Sequence, residues 1–232
     1  MNLSEARVEL RRTQKPAKAS FLQKYFRTDE PFLGITVPEI RRVSRLCRDL
    51  KLSEVIQLLH SRVHEERLLA LLILVSIYQR GDGAVQKAIY RLYFDNMKYI
   101  NNWDLVDSSA PCILGSYLFE KSKKPLYRLA KAKSLWYRRI SIISTQHFIR
   151  NGEFSETILI AKMLLKDKED LIHKAVGWML REVGNRSLET ELSFLNEYSL
   201  VMPRTMLRYA IEKFPNERRL MYLKRPPVRI EC

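Results

Sequence analysis

The chain is short of the residues that make turns, bridges and membrane spans. It has 7 Gly and 9 Pro in 232 residues, too few for the turn-dense connections of a β-sandwich, and Leu, Ile, Lys, Arg and Glu dominate in their place. Cys47, Cys112 and Cys232 are odd in number, widely spaced and without a Cys-x-x-Cys pair. They offer neither a disulfide framework nor a zinc cage, and they fit a reducing compartment. The longest apolar run, Leu68 to Val75, falls far short of the ~20 residues that span a bilayer. The opening MNLSEARVELRR carries charge where a secretory signal needs an apolar stretch, so a cytoplasmic protein is expected. No GxGxxG, GxxxxGK[ST] or GxSxG occurs, which leaves nucleotide cofactors without a cradle and acyl transfer without its nucleophile elbow. No cofactor is expected.

What the chain has in excess is positive charge. Forty-one Lys and Arg against 26 Asp and Glu give +15 and a pI near 9.8, a surplus that points to a polyanionic partner, nucleic acid first. An acidic membrane surface is disfavoured, because the cations are spread along the chain instead of gathered in one amphipathic segment. At roughly 150 residues per domain the length allows one or two domains. The expected division is a single domain over 1–225 and a flexible tail over 226–232.

Hydrophobic spacing places helices at Val37–Leu50, opened by Pro38, at Ser53–His60, opened by Ser53, and at His64–Gln79 with the stripe Leu68, Leu71, Leu72 and Val75. Further helices are expected at Asn102–Glu120, Leu135–Arg150, Phe154–Leu165, Asp170–Val183, Leu188–Tyr198 and Arg204–Phe214. Aligning HEERLLALLILV, LWYRRISIISTQ, LIHKAVGWMLRE and RTMLRYAIEKF puts Arg67, Arg139, Lys174 and Arg208 in equivalent places, 72, 35 and 34 residues apart. The first interval is two periods, with NNWDLVDSSAP in the missing slot. Two helices per unit of ~35 to 40 residues describe an all-α, HEAT-like helical-repeat solenoid, whose second helices line one concave face. One cation per repeat would give that face a basic stripe for phosphate contact; the alternative is that each pairs with an acid of the next repeat.

The least generic segment is Asn101 to Pro111. Asn102 is a plausible N-cap and Asp104 lies in the first turn, where a carboxylate suits the helix dipole. Asp107 has no such explanation. It stands four residues after Trp103 and four before Pro111, so the three share a helix face, and Pro111 has no N–H for the Asp107 carbonyl. A kink there would open the helix around a carboxylate beside an indole; the alternative is a capping or ion-pairing Asp107. Two other places combine indole and cation: Trp136 with Arg138 and Arg139, and Trp178 with Lys174 and Arg181. Trp136 is expected in the core, whereas Trp178 lies one turn after a stripe residue. His60 and His64 are read as surface or capping residues and not as metal ligands.

Five segments, FLGITVPEIRR (32–42), INNWDLVDSSAPCILGSYL (100–118), LWYRRISIIST (135–145), DLIHKAVGWMLREVG (170–184) and MPRTMLRYAIEKF (202–214), resemble the AlkD-type alkylpurine DNA glycosylases, or DNA alkylation repair proteins. The resemblance covers all but the end of the chain. It implies a solenoid that holds duplex DNA and removes cationic N3- or N7-alkylated purines without flipping them into a pocket. It places the catalytic carboxylate on Asp107, the flanking tryptophans on Trp103 and Trp178, and the groove arginine on Arg139. Alternatives are a non-catalytic binder of damaged or branched DNA and a protein-binding helical scaffold. The last predicts salt-insensitive binding, whereas a DNA groove predicts log affinity falling by about 0.9 per phosphate contacted with log salt. A monomer is expected by default.

Overall fold

The computed structural model describes residues 1–26 and 28–224; the expected tail over 226–232 lies outside them. Its described residues fall into two compact units, which divide between Leu114 and Gly115. The first holds α1 (Leu3–Arg11), α2 (Pro16–Phe26), α3 (Val37–Leu46), α4 (Leu52–Leu59), α5 (His64–Arg80), α6 (Gly83–Asp95), a 3₁₀ turn (Met97–Tyr99) and α7 (Trp103–Ala110). A π-helical turn, Pro111–Gly115, follows. The second holds α8 (Ser116–Leu118), α9 (Lys124–Ala130), α10 (Leu135–Ser144), α11 (Gln146–Arg150), α12 (Ser155–Met163), α13 (Asp170–Gly184), α14 (Leu188–Tyr198), α15 (Arg204–Ala210), a 3₁₀ turn (Ile211–Lys213) and α16 (Asn216–Lys224). No strand occurs among the described residues, and no described helix is long and apolar enough to cross a membrane. The expected all-α class is what folds.

Most helix starts follow from local chemistry. Asn2 and Glu5 close a capping box on α1, and Thr36 and Glu39 close one on α3, with Pro38 in its first turn. The helix expected from Ser53 begins one residue earlier, with Lys51 at its N-cap. Glu54 decides this, because its carboxylate accepts the Lys51 N–H at 3.2 Å and the Leu3 N–H at 2.9 Å. The single helix expected over Leu135–Arg150 breaks at Thr145, whose hydroxyl donates to the Ile142 carbonyl at 2.7 Å in competition with the helical ladder. Helices α6 and α16 escape a reading of apolar period because each buries few side chains, and α9 because its seven residues are too short to repeat one. In α6 only Ile89 and Tyr93 are buried, and Asp82 caps it through the Val85 N–H.

Each unit is organised around one long helix. In the first, α5 is buried on nearly every side and packs against α3, α4 and α7; the expected stripe was too narrow, since Leu69, Ala70, Ile73 and Leu74 are buried beside Leu68 and Leu71 while Leu72 and Val75 are only partly so. In the second, α13 packs against α15, α10 and α14. Gly177 lets α13 close on α15, since a Cβ there would lie 2.4 Å from the Met206 carbonyl oxygen. Burial of side chains such as Leu69, Leu74, Val176 and Leu180 contributes roughly 2 kcal/mol each before chain entropy is counted. At the N-terminal end, α1 buries Ala6 and Leu10 while α2 buries none of its residues. The loop after α2 turns at Gly34, whose φ of +79° and contact with the Lys15 carbonyl exclude a side chain.

Candidate functional site

Helix α7 is held at its start and opened at its end. Asn102 caps it as expected, accepting the Trp103 N–H at 2.8 Å. Asp104 accepts the Leu105 N–H at 2.8 Å and faces His64 Nε2 at 2.7 Å. Asp107 follows Trp103 by one turn; both are partly exposed. Beneath them, the Tyr93 hydroxyl meets Ser109 Oγ at 3.1 Å, and Ser109 donates to the Leu105 carbonyl at 2.6 Å. Burial pushes the Tyr93 hydroxyl well above its ordinary value; Ser109 pulls it down, and Cys112 and the Asp107 carboxylate push it further up. The kink expected at Pro111 takes the form of the π turn: without an N–H at Pro111 the chain widens for five residues before α8 resumes.

The indole of Trp103 is enclosed by rings that the sequence reading did not anticipate. Phe26 stacks on it at 5.1 Å between centroids with planes 12° apart, and Tyr25 meets it edge-on at 6.3 Å. Phe26 also stacks on Phe32 at 5.2 Å, and Phe32 on His64 at 4.5 Å. Phe21 and Tyr25, one helical turn apart on α2 and 6.1 Å between centroids, remain more than half exposed. The spacing of Phe21, Tyr25 and Phe26 was the available signal.

His64 is not the surface or capping residue expected. It is the buried first residue of α5, with its Nδ1 3.6 Å from Glu30 Oε2 and its backbone N–H on the Pro31 carbonyl at 3.0 Å. Glu30 also receives Arg67 and, at 2.9 Å, the Asn101 amide. Burial alone would raise the Glu30 carboxyl, but the facing His64, Arg67 and Asn101 hold it down at about 2. Burial works against the His64 imidazolium as well; Asp104 and Glu30 outweigh burial and the repulsion of Arg67, and raise its pKa. The physical reason for this cluster is the start of α5, where Val63 provides no side-chain cap and carboxylates favour the positive end of the helix.

The expected cations divide into buried, paired and open. Arg67 is buried and turned to Glu30. Arg139 is buried and donates to the Leu171 carbonyl at 2.6 Å. Arg138 grips Asp167 with two nitrogens at 2.5 and 3.2 Å and also donates to the Ala132 and Lys133 carbonyls. Lys174 pairs with Asp170 at 2.8 Å, which lowers the Asp170 carboxyl, and Arg181 pairs with Glu212. Arg208 is exposed. Pairing with acids, the alternative to a free stripe, is thus realised at Arg67, Arg138, Lys174 and Arg181. Trp178 shares a face of α13 with Lys174, is partly exposed, and donates from Nε1 to Glu182 at 3.3 Å. Trp136 is also partly exposed and does not join the core expected for it. His60 caps α4 and faces Asn96 at 2.6 Å. Among the described residues no three His, Cys, Asp or Glu side chains group as metal ligands.

A helical-repeat protein with a carboxylate one turn from an indole on an opened helix defines a class before it defines a family. The sequence pattern of the DNA alkylation repair enzyme family matches residues 6–214. The chain belongs to that family, and DNA is the partner that membership implies. Among solved structures, it is similar to a predicted DNA alkylation repair enzyme from Enterococcus faecalis, at 17% identity and TM-score 0.69, over 88% of this chain and 98% of that one. AlkD2 from Streptococcus mutans is similar at 18% identity and TM-score 0.55, over 85% of this chain and 97% of that one. At such identities the likeness establishes the helical-repeat fold. No curated protein sequence matches the chain.

Proposed function

We propose that the protein is a DNA glycosylase that hydrolyses the N-glycosidic bond of cationic N3- and N7-alkylated purines in duplex DNA, with Asp107 as its catalytic carboxylate. The observation that carries this reading is the placement of Asp107, one turn after a partly exposed Trp103 and directly ahead of the π turn at Pro111. An alkylated purine already carries positive charge, so it leaves without a general acid. As the C1′–N bond breaks, its electron pair goes to the purine, which departs neutral, and the sugar gains oxocarbenium character. The Asp107 carboxylate stabilises that charge and orients a water; the water oxygen bonds to C1′ and its proton passes to the carboxylate and then to solvent. Trp103 offers a π face to the cationic base and sugar, and the family resemblance gives Trp178 the same kind of role. Arg208 is open for a phosphate contact, while Arg67, Arg138, Lys174 and Arg181 reach phosphate by exchanging their carboxylates; Arg139 positions the start of α13. The protein acts as a monomer and without a cofactor in this reading.

The test is release of free base from duplex carrying 7-methylguanine or 3-methyladenine, comparing wild type with Asp107→Asn at matched DNA occupancy. Loss of one such electrostatic partner lowers the rate by ~10²-fold or more. A variant that releases base at a near-normal rate removes Asp107 from the mechanism. One observation favours a second reading, a non-catalytic binder of damaged or branched DNA: Phe26 already covers one face of the Trp103 indole. Wild-type protein that binds the damaged duplex and releases nothing would establish that reading instead.

A further inference from the structure

The positive charge is not distributed as evenly as the Lys and Arg count implies. Residues 121–152 contain nine of the 41 Lys and Arg and none of the 26 Asp and Glu, so that stretch alone carries +9 of the chain's +15. Two of the nine are engaged on neighbouring elements, Arg138 with Asp167 and Arg139 with the Leu171 carbonyl. Two others are held locally: Lys123 donates to the Phe119 carbonyl, and Lys121 sits 4.3 Å over the Tyr117 ring. Lys124, Arg128, Lys131 and Lys133 are exposed, and among the described residues none of them forms an ion pair. They belong to α9 and the turn after it. Leu126, Leu129 and Ala130 bury the opposite side of that helix, which leaves the cations facing outward.

Lys124 and Arg128, one helical turn apart, also line a concavity of about 560 Å³ together with Ser122, Pro125 and Tyr127. Tyr127 donates to Glu156, an acid of α12, and burial together with that carboxylate pushes its hydroxyl up to about 12. The tyrosine therefore stays a neutral donor and adds no charge against an anion. We infer that the α9 face, with Lys124 and Arg128 at its centre and Lys131 and Lys133 at its edge, is a binding surface for the phosphodiester backbone of duplex DNA, separate from the four cations of the repeat stripe. Burial and carboxylates engage three of those four, Arg67, Arg139 and Lys174, whereas among the described residues the α9 cations have no carboxylate to surrender. A sequence-independent phosphate contact needs that kind of residue. The inference rests on DNA as the ligand and not on base excision.

The experiment compares two matched pairs in the full-length protein: Lys124→Gln with Arg128→Gln on α9, and Lys87→Gln with Arg91→Gln on α6. Both pairs have the same residue types, the same four-residue spacing, exposed positions and an equal change in net charge. Affinity for undamaged duplex is measured by fluorescence anisotropy against salt, with thermal melts to confirm folding. If the surface is correctly placed, the α9 pair lowers the slope of log affinity against log salt by up to about 1.8, or 0.9 per phosphate lost, and the α6 pair leaves it unchanged. An unchanged slope in the α9 variant overturns the inference. So does an equal fall in both variants, which would make the effect one of net charge alone. Loss of binding to phosphatidylglycerol vesicles with an intact duplex slope would assign the face to a lipid surface and overturn it as well. Because the readout is binding to undamaged duplex, wild type that releases no alkylated base leaves this test intact.

Discussion

The two compact units treat buried glutamates in opposite ways. Glu65 and Glu66 at the start of α5 and Glu191 in α14 are each 2% exposed. Glu65 accepts the N–H groups of Leu33, Gly34 and Ile35 at 2.9, 2.8 and 3.3 Å, and Glu66 pairs with Arg7 and Arg11 at 3.1 and 3.3 Å. These two carboxylates tie the N-terminal segments to the central helix of their unit. Glu191 has no comparable set. Its Oε1 is buried without a hydrogen-bond partner, and its Oε2 sits where a side chain on Gly184 would go. Burial pushes its carboxyl up to about 8, and Arg181 pulls it back only in part. Equal exposure thus gives two hydrogen-bonded anchors in one unit and, in the other, an acid whose carboxyl is pushed up past neutral pH. What decides is the supply of donors: an uncapped helix start with a turning loop beside it provides them, and a tight helix–helix contact does not.

The largest effect expected from this contrast is the loss of Glu65. Glu65→Ala leaves three backbone N–H groups without their charged acceptor, for a cost of roughly 5 kcal/mol. Urea denaturation should show a large fall in midpoint; a fall of less than about 1 kcal/mol would mean that water or a neighbouring acid replaces the anchor.

Glu191→Gln should act with the opposite sign. The unfolded carboxyl ionises at 4.5 and the folded one at about 8. Between those values the folded state binds the extra proton, so wild-type stability falls as pH rises, by at most about 1.4 kcal/mol per unit. The glutamine removes that slope and should gain about 2 kcal/mol at pH 8, its own unmet amide hydrogen bond offsetting part of the benefit. At pH 4 the gain should vanish, and a gain independent of pH would show that Glu191 is not protonated in the fold.

The smallest effect is expected at His64, where the Asp104 and Glu30 carboxylates face the ring from α7 and the loop, and Arg67 faces it from its own helix. Its folded pKa is raised above 6.5, so its stabilising contribution is complete below 6.5 and is lost as pH rises through the folded value. The gap in melting temperature between wild type and His64→Gln should therefore be widest under mildly acidic conditions and shrink toward alkaline pH. A gap that stays constant would reduce the interaction to a neutral hydrogen bond.

Much of this architecture was legible beforehand. Helices α5, α13 and α14 lie where apolar period and terminal residues put them, because a long buried stripe and an explicit stop leave few alternatives, whereas the helix expected over Arg204–Phe214 ends at Ala210 and closes with a 3₁₀ turn. The break at Pro111 was legible for a covalent reason, the missing N–H, although its form as a π turn was not. Helices α6 and α16 carry too little buried surface to leave a strong period, and α9 is too short to show one. The reading of the basic stripe was weaker for a different reason: equal spacing puts Arg67, Arg139, Lys174 and Arg208 in equivalent places, but nothing in spacing says which of them finds a carboxylate. Glu30 and Asp167, which engage Arg67 and Arg138, lie 37 and 29 residues away in sequence.

The aromatic enclosure of Trp103 shows the same limit, since Phe26 lies in a helix whose own residues are all at least partly exposed. Composition and helical period determined by themselves that this is an all-helical repeat protein, the WDLVD segment that a carboxylate stands one turn from an indole, and the resemblance of five segments pointed to the DNA alkylation repair family. Only the tertiary structure decided which charges are spent inside the protein and which remain open. Whether an ionised group is paired, protonated or exposed depends on what the chain brings within about 4 Å of it, and that is set by packing between segments distant in sequence.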